Sequence, residues 1–260
     1  IPVKRYVGRF ENHSEGAVGL ILAGGSGSRL LPFTRFTHKT LLPLYDRPVI
    51  DYALATMRRA GINNITIVAN RHIMQISDYI GSGIEGERFH YVLEESPRGV
   101  AAALNLARSR VEGKRMLLYF SDNITNWNFA DDVEAFNSSE EPPGAVLLVR
   151  KVDDPGSFGV CIMDEEGAIV DVVEKPKNSE SDLAVGGIYL FDETFYDRFD
   201  AIGDNDDFSI SDITRQYTIE GIAGIRDIGE TTWIDCGTPQ NLLEASILAI
   251  KGEINSDFKD

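Results

Sequence analysis

The segment LILAGGSGSRL, residues 20–30, joins an apolar run to a glycine-rich turn that is followed by Arg29. The apolar run predicts a buried strand, and the glycines predict a tight loop at its carboxyl end. Glycines bring bare backbone N–H groups against an anion, and a helix that starts next adds a favourable dipole. The segment therefore predicts a phosphate-binding loop at the edge of an α/β sheet.

Two common phosphate loops do not fit this spacing. A dinucleotide-binding loop would carry a third glycine where Leu30 stands, and a Walker loop would end in a lysine followed by serine or threonine. A glycine turn without a ligand remains the alternative for the GGSG segment by itself. The cations Arg29 and Lys39 favour a phosphate ligand, because at this spacing they can reach a triphosphate from different sides.

Strand and helix patterns alternate through the first half of the chain, which predicts a mostly parallel sheet with right-handed crossovers. The second half has strands with few helices between them, which favours antiparallel additions. We expect an α/β fold with a three-layer, Rossmann-like mixed sheet flanked by helices, and functional residues at the carboxyl ends of strands. The predicted strands are 17–23, 64–68, 89–93, 116–120, 144–150, 160–163, 169–173 and 184–191, and the predicted helices are 49–59, 73–80, 100–108, 193–199, 211–220 and 239–250. Exposed loops are predicted over 137–143 and 200–207, and a hairpin turn over 165–167.

Composition sets outer limits on function. The 260 residues are 43% hydrophobic, which predicts a single domain over 17–252 with an N-terminal extension, 1–16, and a C-terminal tail, 253–260. The net charge of −16 disfavours nucleic acid and anionic membranes as partners. We find neither a transmembrane run nor a signal peptide. Cys161 and Cys236 lack metal-ligand spacing, and we expect a reducing cytoplasm.

The segments GGSGSRLLP, 24–32, and KTLLP, 39–43, resemble the signature of the sugar-1-phosphate nucleotidyltransferases, most nearly the glucose-1-phosphate thymidylyltransferases. The likeness spans residues 18–249. The further motifs are EESPRGVAA, 94–102; SDN, 121–123; DPGSFG, 154–159; EKP, 174–176; AVGGIY, 184–189; SDI, 211–213; and WIDCGT, 233–238. The resemblance implies the nucleotide-diphospho-sugar transferase fold, a homo-oligomer, and an enzyme that joins a nucleoside triphosphate to a sugar 1-phosphate and releases pyrophosphate.

The resemblance also implies residue roles. Asp122 and Asp235 would bind Mg²⁺, which accepts one or two carboxylates plus phosphate oxygens. Arg29 would contact the leaving pyrophosphate, Lys39 the α-phosphate and pyrophosphate, and Lys175 the phosphate of the sugar. The implied nucleotide-binding residues are Ala23, Gly24, Gly25, Gly27, Ser28, Glu94, Pro97 and Gly99, and the implied sugar-phosphate residues are Asn123, Gly159, Glu174, Lys175 and Gly186.

Structural roles remain open for several of these residues. Asp122 could cap a helix or turn, Lys175 could be a surface lysine, Gly186 could mark a β-bulge, and Asn123 could hold its loop. A regulatory subunit without catalysis is the competing class of protein. That class predicts damage at the charged positions, yet the three cations and both carboxylates with implied roles are all present.

Glu94 departs from the thymidylyltransferase pattern, in which a glutamine commonly meets the base. A carboxylate only accepts hydrogen bonds, so it would take the N3–H of thymine or uracil but repel the neighbouring carbonyl oxygen. Guanine presents two adjacent donors that a carboxylate could receive together. The motifs at 154–159 and 211–214 nevertheless resemble thymidylyltransferases more than guanylyltransferases. We therefore expect dTTP first, with UTP and GTP as alternatives, and glucose 1-phosphate first among sugar phosphates.

Overall fold

The computed structural model describes residues 16–96, 98–139, 142–203 and 208–254. Its strands are β1 Val18–Ala23, β2 Pro43–Leu44, β3 Arg47–Pro48, β4 Asn64–Ala69, β5 Arg88–Leu93, β6 Met116–Phe120, β7 Asn123–Thr125, β8 Ala145–Lys151, β9 Gly159–Met163, β10 Ile169–Glu174, β11 Leu183–Phe191, β12 Ala223–Asp227 and β13 Trp233–Asp235. Its α-helices are α1 Val49–Arg59, α2 Ile73–Ile80, α3 Val100–Val111, α4 Ala130–Ser138, α5 Phe195–Ile202, α6 Ile210–Ile219 and α7 Pro239–Ile250.

Strand β1, which precedes the glycine loop, lies inside a nine-stranded sheet. It pairs in parallel with β4 on one side and with β6 on the other, and β5 extends the parallel half beyond β4. Strand β11 runs antiparallel to β6, β8 and β9, and β10 continues antiparallel from β9. Strand β12 adds to β8 in parallel. The predicted mixed sheet, parallel first and antiparallel later, is confirmed.

The helices cover both faces of the sheet, as the predicted three layers require. Side chains alternate along a strand, so β1 contributes to two separate cores. Leu20 and Leu22 pack with α3, α5 and α6 on one face. Ile21 and Ala23 pack with α1, α2 and α4 on the other. All six residues of β1 are buried, which explains its continuous apolar sequence.

A third, smaller core fixes the elements beside the carboxyl end of β6. It joins Leu44 of β2, Tyr52 of α1, Ile124 of β7, Ile234 of β13 and Ala245 of α7. The ribbon of β7 and β13 is antiparallel, with Ile124 opposite Ile234. This packing brings the segments after β6 and around β13 together, although they are more than 100 residues apart in the chain.

Several local predictions need correction. Helix α4 was not predicted, because only two residues of its sequence ADDVEAFNS, Val133 and Phe136, are both apolar and buried, and residues 137–138 of the predicted 137–143 loop form its last turn. Arg115 completes that turn by donating from Nη1 to the carbonyls of Phe136 and Asn137. Residues 200–202 belong to α5 rather than to a loop, while 204–207 lie outside the described residues. Strands β2, β3, β7, β12 and β13 were also not predicted.

The other predicted strands and helices are confirmed with small shifts at their ends, and the hairpin turn at 165–167 joins β9 to β10. The domain boundaries stay a prediction. Most of the predicted extension, 1–15, and part of the predicted tail, 255–260, lie outside the described residues. Among the residues that are described, no helix combines the length and apolar character needed to cross a membrane.

Truncation of Phe191 should destabilise the fold strongly. Phe191 is fully buried and packs against the rings of Phe195 at 4.8 Å and Tyr217 at 5.6 Å. We expect Phe191→Ala to lower the free energy of unfolding by about 3–5 kcal/mol in urea denaturation, because it leaves a cavity. The control is Ile219→Ala, since Ile219 is 69% exposed. A comparable loss in both variants would contradict the assignment of Phe191 to the core.

Candidate active site

The glycine loop leaves β1 and turns through Gly27, whose φ of 64° lies in the left-handed region that glycine adopts without strain. Thr34 holds this turn by donating from Oγ1 to the Gly27 carbonyl at 2.7 Å. A 3₁₀ turn, Ser28–Leu30, follows instead of the expected α-helix, and buried Leu30 anchors it. The loop therefore offers backbone N–H groups to an anion without the dipole of a long helix.

Lys39 links the glycine loop to the segment after β6. Its Nζ lies 2.5 Å from Oδ2 of Asp122, and the two side chains are only 14% and 15% exposed. The same Nζ would lie 3.2 Å from a Cβ placed on Gly25, so the ammonium group also contacts the loop. Three residues that the sequence predicted separately therefore meet at one point.

Asp122 and Asp235 lie side by side at the β7–β13 ribbon. Asp235 pairs with Asn123, and the N–H of Cys236 donates to the Asp122 carbonyl at 2.7 Å. Burial works to raise the pKa of Asp122, but the charge and hydrogen bond of Lys39, with help from Arg29, hold that pKa below its usual value. Burial and the negative charge of Asp122 together raise the pKa of Asp235.

This pair of carboxylates fits a divalent cation. Asp235 accepts the Gly237 N–H at Oδ1, 2.7 Å away, and the Arg29 guanidinium lies close by, 2.6 Å from where a Cβ on Gly237 would be. The repulsion that raises the pKa of Asp235 is what a bound cation would relieve. The described residues include no cluster of three or more metal-ligating side chains, so a cation here would complete its shell with phosphate oxygens and water.

A cavity of 200 Å³ lies between the glycine loop and the start of α3. Glu94 is buried at its edge, and a Cβ on Gly24 would clash with Glu94 Oε2. Oε1 of Glu94 is buried without a hydrogen-bond partner in the described part of the chain. Burial raises the pKa of Glu94, although the N–H and charge of Arg98 oppose the shift. The lining residues are Leu22, Gly24, Gly25, Lys39, Glu94, Gly99, Val100, Ala103 and Phe120.

Three of the predicted sugar-phosphate residues, Gly159, Glu174 and Lys175, lie together at the end of β10. Ser211 Oγ donates to Glu174 Oε2 at 2.7 Å, and Lys175 Nζ lies 3.1 Å from Glu174 Oε1. Gly159 stands opposite Glu174 in the β9–β10 register. Lys175 has a φ of 42°, a strained value for a residue other than glycine, and its N–H donates to the Phe158 carbonyl at 2.9 Å. The backbone turn therefore fixes the position of the Lys175 main chain, from which the side chain extends.

Comparison with known proteins identifies the family. The model of the nucleotidyl transferase family matches residues 18–251. This chain belongs to the nucleotidyl transferase family. A glucose-1-phosphate thymidylyltransferase of Xanthomonas campestris pv. campestris (strain B100) is 35% identical over 234 residues, which cover 88% of this chain and 79% of the relative.

Two solved structures share the fold. A proposed glucose-1-phosphate thymidylyltransferase of Bacillus anthracis, in complex with sucrose, is 33% identical and superposes with a TM-score of 0.86 over 94% of this chain and 98% of the other. A UDP-glucose pyrophosphorylase complexed with UDP-glucose has a TM-score of 0.79 at 22% identity, over 91% and 99% of the two chains. The predicted family resemblance, the predicted fold and the predicted class of enzyme, a nucleotidyltransferase, are confirmed.

At two positions of this nucleotidyltransferase, Asn123 and Gly186, the contacts favour a structural role. Asn123 Oδ1 accepts from Trp233 Nε1 at 2.8 Å and from the Gly187 N–H at 3.3 Å, so Asn123 holds its loop. Gly186 lies where the register of β11 shifts, as a β-bulge would require. Pro97 lies outside the described residues. The individual roles of the predicted site residues stay predictions.

Sequence reasoning missed two residues of the site. Ser211 belongs to the motif 211–213, but nothing in the sequence pairs it with Glu174, 37 positions earlier. His38 precedes Lys39 in the sequence, and its burial and its hydrogen bonds with Ala23 and Thr40 are visible only in the structure. A buried histidine beside a predicted ligand is a usable signal only once its burial is known.

Removal of Lys39 should destabilise the nucleotidyltransferase at neutral pH. We expect Lys39→Met to lower the free energy of unfolding by about 3 kcal/mol at pH 7, since Asp122 would be left buried without its partner. The lowered pKa of Asp122 contributes stability above its usual value of 3.8, and this is lost as pH falls through the folded pKa. The difference between variant and wild type should therefore shrink in acid.

The matched control is Lys151→Met. Lys151 pairs with Asp182 at 3.6 Å, but its side chain is 73% exposed, so its loss should cost almost nothing. Urea denaturation of both variants between pH 3 and 7, without added metal, makes the comparison. Equal stability of Lys39→Met and wild type at pH 7 would contradict a stabilising role for the buried pair.

Proposed function

We propose that this chain transfers a nucleotidyl group from a nucleoside triphosphate, dTTP by preference, to a sugar 1-phosphate, glucose 1-phosphate by preference. The products are a nucleotide sugar and pyrophosphate. The observation that carries the proposal is the position of Lys39, which contacts both the glycine loop and Asp122 beside Asp235. The names of the relatives, glucose-1-phosphate thymidylyltransferases at up to 35% identity, support the choice of substrates.

In the proposed reaction, an oxygen of the sugar phosphate attacks the α-phosphorus in line, and pyrophosphate leaves. The nucleophile is already an anion, so the site needs alignment and charge neutralisation more than a strong base. The glycine loop and Lys39 would hold the triphosphate, Arg29 the leaving pyrophosphate and Lys175 the sugar phosphate. Mg²⁺ held by Asp122 and Asp235 would supply further positive charge against the phosphate oxygens.

The cavity beside Glu94 is the space that we assign to the base, because it opens between the glycine loop and the start of α3. An ionised Glu94 would favour guanine, which offers two adjacent donors, whereas a neutral carboxyl group offers one donor and one acceptor like the amide of glutamine. Burial raises the pKa of Glu94 and so favours the neutral form. A neutral Glu94 would suit dTTP or UTP better than GTP, and the names of the relatives support dTTP as the first candidate.

For the sugar, Glu174 is held by Ser211 with its carboxylate beside Lys175, so one group could accept from sugar hydroxyls while the other meets the phosphate. Gly159 lies beside them, and a Cβ there would come within 3.0 Å of Ser211 Oγ. This arrangement suits a hexose 1-phosphate. Another sugar phosphate remains the alternative, because any of them presents a similar phosphate to Lys175.

The first test measures pyrophosphate release in the presence of Mg²⁺ and glucose 1-phosphate, with dTTP, UTP, GTP, CTP and ATP supplied one at a time. We expect turnover with dTTP, and we expect Asp122→Asn to lower kcat about 100-fold or more, because it removes charge at the reacting phosphates. Asp182→Asn is the control, since the Asp182 side chain is 58% exposed. Full activity in Asp122→Asn would refute the metal-binding role.

The absence of pyrophosphate release with every nucleotide and with several sugar phosphates would contradict the proposed reaction. Binding of nucleotide by calorimetry in that case would favour the non-catalytic regulatory subunit, the alternative class. Retention of Arg29, Lys39, Asp122, Lys175 and Asp235 argues against it.

A second test concerns the base. We expect Glu94→Gln to raise kcat/KM for dTTP relative to GTP, because a carboxylate repels a thymine carbonyl oxygen whereas the amide of glutamine can donate to it. Steady-state rates with both nucleotides between pH 6 and 9 give the comparison. Unchanged ratios across that range would exclude Glu94 as the residue that reads the base.

Two further proposals concern the assembly and the location of the protein. We propose a homo-oligomer, by likeness to the family. We also propose a cytoplasmic protein, which is supported by Cys161 and Cys236, both buried free thiols.

A further inference from the structure

His38 is the residue immediately before Lys39, and its imidazole is buried, with 2% of the residue exposed. Nε2 lies 2.6 Å from the carbonyl oxygen of Ala23, the last residue of β1. Nδ1 lies 2.7 Å from Thr40 Oγ1 and 3.2 Å from the Thr40 nitrogen. One ring therefore connects the entry to the glycine loop with the 3₁₀ turn Lys39–Leu41, which carries Lys39.

These contacts select one protonation state. The Ala23 carbonyl only accepts, so Nε2 must carry a hydrogen, and the Thr40 N–H only donates, so Nδ1 must be unprotonated. The neutral Nε2–H tautomer satisfies both. Burial, helped by the positive charge of Lys39, lowers the pKa of His38 to about 4, although the hydrogen bond to Ala23 opposes the shift.

We propose that His38, as the neutral Nε2–H tautomer, is a positioning residue that sets Lys39 against the glycine loop for nucleotide binding. The inference rests on the proposed function, because it takes Lys39 and the loop as the site of the triphosphate. Ala23 directly precedes Gly24, and Lys39 stands between the two residues bonded through the ring, His38 and Thr40. Loss of either bond would let the ammonium group shift relative to the loop.

Protonation of His38 would disturb this arrangement. The charged groups that face the ring are Lys39, His72, whose ring centroid is 6.4 Å away, and Asp122. A hydrogen on Nδ1 would oppose the Thr40 N–H, and the new charge would lie next to that of Lys39. Nucleotide affinity should therefore fall in acid as His38 titrates toward pH 4, well below the usual value of 6.5.

Long-range ¹H–¹⁵N correlation spectra of ¹⁵N-histidine protein test the tautomer without any substrate. The signal missing from His38→Gln assigns the ring. We expect neutral His38 with its proton on Nε2 at pH 6, and no titration until pH approaches 4. A proton on Nδ1, or titration near 6.5, would overturn the proposal.

Substitutions test the positioning role. Gln can keep the donor to Ala23, Asn can keep the acceptor for Thr40, and Ala keeps neither. We expect His38→Ala to weaken dTTP or GTP binding in calorimetry, and to raise the KM for the nucleotide, about 10- to 100-fold, since small misplacements have effects of that size. The KM for the sugar phosphate should stay unchanged. His38→Gln and His38→Asn should each recover part of the lost nucleotide affinity. The fall of kcat/KM for the nucleotide in acid should occur at a different pH in these variants than in the wild type.

The matched control is His72→Asn, which alters the neighbouring half-buried histidine and should leave nucleotide affinity intact. Unchanged nucleotide affinity in a folded His38→Ala protein would overturn the proposal. If His38→Ala does not fold, the Gln and Asn variants and the spectra decide. Wild-type protein that binds dTTP or GTP but transfers it to no sugar phosphate would defeat the proposed function alone, because binding still reports on His38.

Discussion

The ion pair between Lys39 and Asp122 joins the two segments from which the candidate site is built. Lys39 comes from the turns that follow β1, and Asp122 comes from the loop after β6, the neighbouring strand. Neither charge could be buried to this extent without the other, because an isolated buried charge is strongly unfavourable. The glycine loop, the cavity beside Glu94 and the β7–β13 ribbon all take their positions relative to this contact.

The sheet makes the contact possible. Strands β1, β4, β5 and β6 are parallel, so the loops that leave them meet at the same edge, and Glu94, Lys39 and Asp122 reach that edge from different crossovers. The antiparallel half adds the second group of residues. Phe158 packs against Trp233 with the rings tilted by 60° and their centroids 5.1 Å apart, and Trp233 donates to Asn123. A continuous path of contacts therefore runs from the turn at Lys175 to Asp122.

Much of this could be predicted from sequence, because the parallel strands β1, β4 and β6 are almost wholly buried and read as short apolar runs. Residues 20–30 predicted both a central strand and a phosphate loop. Helix α4 could not be predicted, since its buried face has only two apolar residues and its last turn is completed by Arg115, a long-range contact. The hydrogen bond between Ser211 and Glu174 and the hydrogen bonds of His38 could not be predicted for the same reason. They depend on tertiary contacts that leave no periodic pattern in the sequence. The structural role of Asn123 became visible only with Trp233 in place.

The net charge of −16 repels phosphates, so a phosphate-binding site in this protein needs cations held at fixed positions. Its cations are placed by irregular backbone instead of helix faces. Arg29 lies in a 3₁₀ turn after left-handed Gly27, Lys39 in a second 3₁₀ turn tied to β1 through His38, and Lys175 at a positive φ. Such segments allow little freedom to the main chain that carries each charge. Arg29 and Lys39 thereby bring positive charge to Asp122 and Asp235 within an acidic protein, at the place where two anions would have to be aligned.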